Sequence, residues 1–396
     1  MDIDLATASH IDLKILTISM NAFVPFAPEI CERIFAYACT DDGRTGRSLS
    51  EVSRLVHNTS KTFKYYTIAI HGPAQAAGFL ELMQSFPPDL RNISHLFVSN
   101  RRSPLTLDDI GPDINDRKRG SVMSILRAIP SRLLKLIPET KQQRNWKKVM
   151  EAAQEYARRS SRLDTLSREQ DDHMLRMLLR ILDILAPGLQ TLSVFFDSNS
   201  LSLPFWEGNW QPVFPSLPAL TELTITYRGE AYAEWSQWRV LSGPASLPSL
   251  KRLDISGVEV QFYTPFHCYR CMSRRAPSLT HLCIPARMVG SMEAALMENR
   301  PDLEQDARGL LPPHLEHVFI QLPQHPTFIC CGLGELHADS SVRCQSLSLT
   351  DERFDVLQVD GNGKKSRDAA KREWMDRISG FGGNWRVDDR IIGACR

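Results

Sequence analysis

His281, Cys283 and His317 are the residues of this chain whose types most readily suggest chemistry, and Cys268-Tyr269-Arg270-Cys271 lies close by in sequence. Imidazole and thiolate groups are zinc ligands, and a C-x-x-C joined by histidines on neighbouring strands is one way to build a tetrahedral site. Here the C-x-x-C falls in a connecting segment, on the side opposite to the strand residues, so no metal and no cofactor is expected. His314-Leu315-Glu316-His317 lacks the spacing of a metalloprotease helix and reads as strand. Gly361-Asn362-Gly363-Lys364-Lys365-Ser366 lacks the spacing of a phosphate-binding loop. Asp41, Asp42 and Arg54 have neither a nucleophile nor a glycine-rich phosphate turn beside them, and read as turn and surface residues. No catalytic constellation emerges, so the chain reads as a binding protein rather than an enzyme.

A recurring segment must position these residues. Leu189-x-x-Leu192-x-Val194 is followed by units at Leu220, Leu250, Leu279 and Leu315 and by a weaker Cys344-x-x-Leu347-x-Leu349, with anchors 31, 30, 29, 36 and 29 residues apart. Proline-marked turns precede several units, as in Leu217-Pro218-Ala219-Leu220 and Leu247-Pro248-Ser249-Leu250. Upstream, Phe63 to Ile70 and Ile93 to Val98 alternate as strands, separated by a helical pattern from Ala74 to Ser85. The step from Ile68 to Leu96 is 28 residues. The pattern resembles a leucine-rich repeat, in which each unit buries its leucines by stacking on its neighbours. The Asn or Cys that usually follows is replaced by Arg101, Asp197, Arg228, Val258, Arg287, Pro323 and Glu352, so no asparagine ladder is expected and the solenoid should be irregular. An open mixed α/β domain is the alternative architecture.

Side chains alternate along a strand, so while the leucines point inward the intervening residues should line an open face. One row is His95, Thr191, Glu222, Arg252, His281, His317 and Ser346; the next is Phe97, Ser193, Thr224, Asp254, Cys283, Phe319 and Ser348. Charge, imidazole and aromatic groups together suit recognition of a protein or peptide. Between the second and third strands lies a helical insertion, about residues 101–187, whose basic stretch from Arg117 to Arg162 is interrupted by Glu139, Glu151, Glu155 and Asp164. A solvated helical hairpin or arm explains it better than a nucleic-acid or membrane patch. A helix from about Ser167 to Ala186 should face the core, and a final helix from Ser366 to Ser379 should cap the last repeat.

Near the amino terminus, Phe26-Ala27-Pro28-Glu29-Ile30 opens a helix in which Ile30, Ile34 and Tyr37 form one apolar stripe with Phe35 alongside. Ser48 is a plausible cap for a second helix running through Leu49, Val52 and Leu55. Periodicity alone is explained by a helix burying its stripe in its own domain. The residue order, with the Ile34-Phe35 pair and Val52-Ser53-Arg54, resembles an F-box, and the whole resembles fungal (basidiomycete-type) F-box proteins with a degenerate leucine-rich-repeat-like carboxy-terminal region. That resemblance implies an α/β chain with a helical F-box-like module over residues 21–66, a tail over 1–20 and an irregular repeat domain over 67–396. It also implies a substrate-recognition subunit of a cullin-based ubiquitin ligase. Phe26, Pro28, Ile30, Ile34, Phe35, Leu49 and Val52 would dock on a Skp-type adaptor held by a cullin scaffold. His95, Phe97, Glu222, Thr224, Arg252, Asp254, His281, Cys283, His317 and Phe319 would face a target protein. Two alternatives stand beside this reading: a repeat scaffold that binds a partner without an adaptor, and a hydrolase or transferase with an unrecognised site.

Composition sets the frame. A net charge of +1 over 396 residues gives no long-range field for nucleic acid or acidic membrane. Nine cysteines without a secretory signal read as free thiols in a reducing compartment, and no apolar run reaches membrane-spanning length, so a cytoplasmic or nuclear protein is expected.

Overall fold

The computed structural model describes residues 27–41, 43–88, 91–100, 141–197, 214–228, 246–256, 272–286, 311–323, 342, 344, 345, 348, 349, 352–359, 365–380 and 385. Phe26, Ser346 and the C-x-x-C at Cys268 lie outside them, as do the basic residues from Arg117 to Lys135.

Three short helices begin the chain: α1 (Pro28–Ala38), α2 (Arg44–Val52) and α3 (Arg54–Ser60). Pro28 sits in the first turn of α1, where its missing N–H is not needed, and Glu29 there complements the helix dipole. Asp41 organises the entry to α2, its carboxylate accepting from the N–H groups of Gly43 at 3.0 Å and Thr45 at 2.8 Å. The expected single helix from a Ser48 cap is instead broken at Ser53, whose backbone is extended and whose Oγ accepts from Val56 N–H at 3.2 Å. That serine stops α2 and caps α3, because its side chain offers the backbone a partner that a continuous helix would not.

From Thr67 onward the chain builds one eight-stranded sheet whose spatial order follows the sequence. The strands are β1 (Thr67–His71), β2 (His95–Ser99), β3 (Thr191–Asp197), β4 (Glu222–Arg228), β5 (Arg252–Ser256), β6 (His281–Pro285), β7 (His317–Pro323) and β8 (Phe354–Val359). Every neighbouring pair is parallel, and Leu96, Leu192, Leu223, Leu253, Leu282 and Val318 stand in one register. Only that register keeps all the leucines on one side, since a one-residue slip would turn them outward. The loops before the strands stack too: Thr221 donates its backbone N–H to Gln190 O, Lys251 to Thr221 O and Thr280 to Lys251 O.

The eighth strand is not the one the repeat pattern indicates. Residues 344, 345, 348 and 349 are helical and Leu349 is 88% exposed, while Phe354 to Val359 pairs with β7. Ser348 therefore leaves the sheet face, and Asp355 takes the place beside Phe319. Cys344 is buried in the main core although the described residues of its unit are helical, which explains the misleading period. An asparagine tie also exists, one residue before the expected position. Asn100 Oδ1 accepts from Asp197 N–H at 2.9 Å and its Nδ2 donates to Asp197 O at 3.0 Å, joining the ends of β2 and β3.

The main core lies on the leucine side, where α4 (Gly72–Ser85) and the second half of α5 (Lys141–Leu185) pack Phe79, Leu80, Met83, Met174, Leu178, Ile181, Leu182 and Leu185 against the strands. The expected hairpin and core-facing helix are thus joined over this range in one 45-residue helix, about 67 Å long. The last helix, α6 (Arg367–Ile378), does not cap β8. It lies on the opposite face of the sheet, with Trp374 packed against Phe97 of β2 and Phe195 of β3. A parallel sheet is stable when both faces are covered, and this helix covers the second one.

Candidate functional site

Two surfaces carry the groups singled out in the sequence. The first is formed by α1 to α3. Cys31, Phe35 and Val56 make a small core there, with Leu49 and Phe63 packed partly against it. Ile30, Ile34, Tyr37, Val52 and Leu55 point away from it and are between 42 and 72% exposed. The stripe is therefore not buried in its own domain, and the direction of Phe35 is a correction: that ring holds the helices together and is unavailable to a partner. Burial and the nearby Asp41 carboxylate push the Cys39 thiol up to about 11, so it stays protonated beneath the surface.

The second surface is the sheet face of the two alternating rows. The strands bring His95, Glu222, Arg252, His281 and His317 into one row, and Phe97, Thr224, Asp254, Cys283 and Phe319 into the next. The face is not open, however. Phe97, Glu222, Thr224, Asp254, Cys283, Phe319 and His95 are all buried, and Arg252, His281 and His317 are half-buried. Over β2 to β5 the covering is α6 with Lys365; over β6 to β8, Trp385 packs against Cys283, Phe319 and Leu357. The strand-by-strand alternation holds, but it cannot say what lies on top.

Beneath α6 sits a buried ion network. Arg377 places Nε 2.8 Å from Glu222 Oε1 and Nη1 3.9 Å from Asp254 Oδ2. Lys365 Nζ lies 3.5 Å from Asp254 Oδ2 and 2.8 Å from Glu373 Oε2. Arg252 approaches Glu222 at 3.7 Å from the rim. Burial raises the Glu222 carboxyl above its ordinary value against the pull of Arg377 and Arg252. For Lys365, burial favours the neutral amine, yet Asp254 and Glu373 overcome it and hold the ammonium above its usual range. Arg377 and Lys365 bring cations to the buried sheet carboxylates Glu222 and Asp254, while Glu373 of α6 adds a carboxylate from the helix side. Around this network, Trp374 Nε1, Trp385 Nε1 and Thr224 Oγ1 are buried without a hydrogen-bond partner.

The histidines and the cysteine do not form a ligand set. His281 and His317 face each other across β6 and β7 with ring centroids 4.9 Å apart, and Trp385 meets His281 edge-on at 5.8 Å. Cys283 is fully buried, receives Gln321 Nε2 at 3.0 Å, and has its thiol pushed well above the ordinary value by burial and Asp254. A thiol held protonated is a poor metal ligand, and among the described residues no group of three His, Cys, Asp or Glu is arranged to hold a metal ion. Among the same residues no helix is long and apolar enough to cross a membrane.

Residue alternation along the strands missed Lys365, Trp374, Arg377 and Trp385 as occupants of the face. The signal was present: Glu222 and Asp254 occupy neighbouring strands in rows destined for the sheet surface and, once covered, demand cations. No protein-family model matches the chain, and no curated protein matches it.

Proposed function

We propose that this chain is a non-catalytic recognition subunit of the F-box kind, docking on a Skp-type adaptor of a cullin ubiquitin ligase through α1 to α3 and presenting a target protein on a leucine-rich-repeat-like sheet domain. The observation that carries the reading is the outward row Ile30, Ile34, Tyr37, Val52 and Leu55, standing over a core that, among the described residues, consists of Cys31, Phe35 and Val56. Large apolar side chains left exposed together on one small module support a protein interface there. The residue order of the module supports the choice of adaptor. Ile30, Ile34 and Val52 are the contact residues in this reading, while Phe35 and Leu49 support them from below.

The experiment is co-purification of the full-length chain with a Skp-type adaptor. Wild type should retain it, and Ile30→Asp with Ile34→Asp should lose it while keeping the wild-type melting temperature. Equal recovery from wild type and variant sinks the reading. A second reading, in which α1 to α3 only close the edge of the sheet, is favoured by the approach of α2 to the chain before β1: a Cβ on Gly46 would lie 2.7 Å from Lys64 O. Absence of adaptor from wild-type preparations selects it.

A further inference from the structure

We propose that the sheet face over β2 to β5 is a recognition groove for a helical segment of a partner protein that presents an aromatic side chain and, one turn later, an arginine, and that residues 365–380 are its intramolecular stand-in. The groove has two parts. Phe97 and Phe195 form an aromatic floor that receives Trp374, with the Phe97 and Trp374 ring centroids 5.6 Å apart. Beside it, Glu222 and Asp254 form an acidic pair that receives Arg377 and, through Asp254, Lys365. Trp374 and Arg377 are three residues apart on one helix, so they share a face and reach the two parts together.

Three observations set this apart from ordinary covering of a sheet. First, apolar residues are enough to cover a sheet face, whereas buried carboxylates on adjacent strands carry a desolvation cost and restrict the occupant to a cation. Second, α6 satisfies the groove incompletely: Trp374 Nε1 and Thr224 Oγ1 have no hydrogen-bond partner in the buried interface. A better-matched segment has hydrogen bonds to gain there. Third, the stand-in is tethered to β8 by only residues 360–364, a sequence with two glycines. A short tether gives an effective concentration of about millimolar, so a poorly matched segment still occupies the site until a better one displaces it. The acidic pair also repels nucleic acid and anionic lipid, leaving a basic, aromatic helix as the fitting partner. This inference stands without the adaptor reading, because neither groove nor occupant involves α1 to α3.

The test uses full-length protein and, as probe, a labelled synthetic peptide with the sequence of residues 365–380. Trp374→Ala with Arg377→Ala in the protein weakens the tethered occupant, and the variant should bind the peptide at least about tenfold more tightly than wild type. Adding Glu222→Gln and Asp254→Asn should abolish that gain. Peptide binding no tighter in the variant than in wild type overturns the proposal, as does a gain that survives loss of both carboxylates. Concentration-dependent dimerisation of wild type through exchanged segments also overturns it, by making a second copy the occupant. Amide exchange on wild type is an independent arm in case the variant fails to fold. The α6 amides should exchange at least about a hundredfold faster than those of β3 and β4, through local opening. Exchange of α6 only with global unfolding makes the helix a fixed part of the fold and overturns the groove.

Discussion

Ile34 and Glu222 sit in reversed surroundings. On α1 an apolar side chain looks outward from a module whose core, among the described residues, is three residues with two partial neighbours; on β4 a carboxylate looks inward beneath a helix supplied from 155 residues further along (377 − 222). The N-terminal helices are short, and three short helices enclose too little volume to bury every apolar residue they carry. The sheet has area to spare, and a parallel sheet requires cover on both faces. The first region therefore leaves an apolar row exposed, while the second is covered by its own chain. Exposure in this protein follows from what is available to cover a surface rather than from the polarity of the surface itself.

Substitutions can break or sharpen that contrast. The largest effect is expected on the leucine side, where Leu282→Ala in β6 should cost about 2–5 kcal/mol in denaturant unfolding, since Leu282 is fully buried in the main core. A cost near that of a surface site would mean that the sheet core is not what holds the fold.

Acid should next reveal the covered face. His95 Nδ1 lies 3.0 Å from Thr191 Oγ1 and its ring meets Tyr66 edge-on, and burial lowers its pKa from 6.5 to about 4. The unfolded chain then binds the proton first, so stability present above pH 6.5 declines as the pH falls towards 4. The loss attributable to this ring is on the order of 3 kcal/mol. Glu222, whose pKa is raised, opposes the trend by favouring its protonated form in the fold. A His95→Asn variant should show a flatter stability profile from pH 7 to pH 4, and an unchanged slope would place the ring in contact with water.

Within the N-terminal module, Gly46→Ala should cost about 1–3 kcal/mol by overpacking, because the new Cβ meets the Lys64 backbone rather than a flexible side chain. Ser53→Ala removes the hydrogen bond that starts α3 and should cost about 1 kcal/mol. The smallest effect belongs to the outward stripe: Ile34→Asp should change stability by less than about 0.5 kcal/mol. A thermal melt showing a larger loss would mean that the stripe is covered by another part of the chain, and the contrast with Glu222 would fail.

Much of the sheet was legible beforehand. Leu192, Leu223, Leu253 and Leu282 recur at steps of 29 to 31 residues because each unit repeats the same local problem of burying one strand face. Alternation then assigned Glu222 and Asp254 correctly to the face away from the leucines. The pattern failed at Cys344, where a buried residue imitates an anchor but the strand forms ten residues later, at Phe354 (354 − 344). It failed again at Ser48, since α2 already begins at Arg44 after Gly43, and Ser53 is the serine that caps the next helix.

By itself, the sequence determined the register of β1 to β7, the side of the sheet on which their residues lie, and the existence of an apolar stripe on α1, because these depend on short periods along the chain. Only the tertiary structure decided that Phe35 turns inward, that the sheet face is occupied, and that Arg377 and Lys365 meet Glu222 and Asp254. Those outcomes depend on which distant segments share space, and no local period encodes a contact between residues 222 and 377.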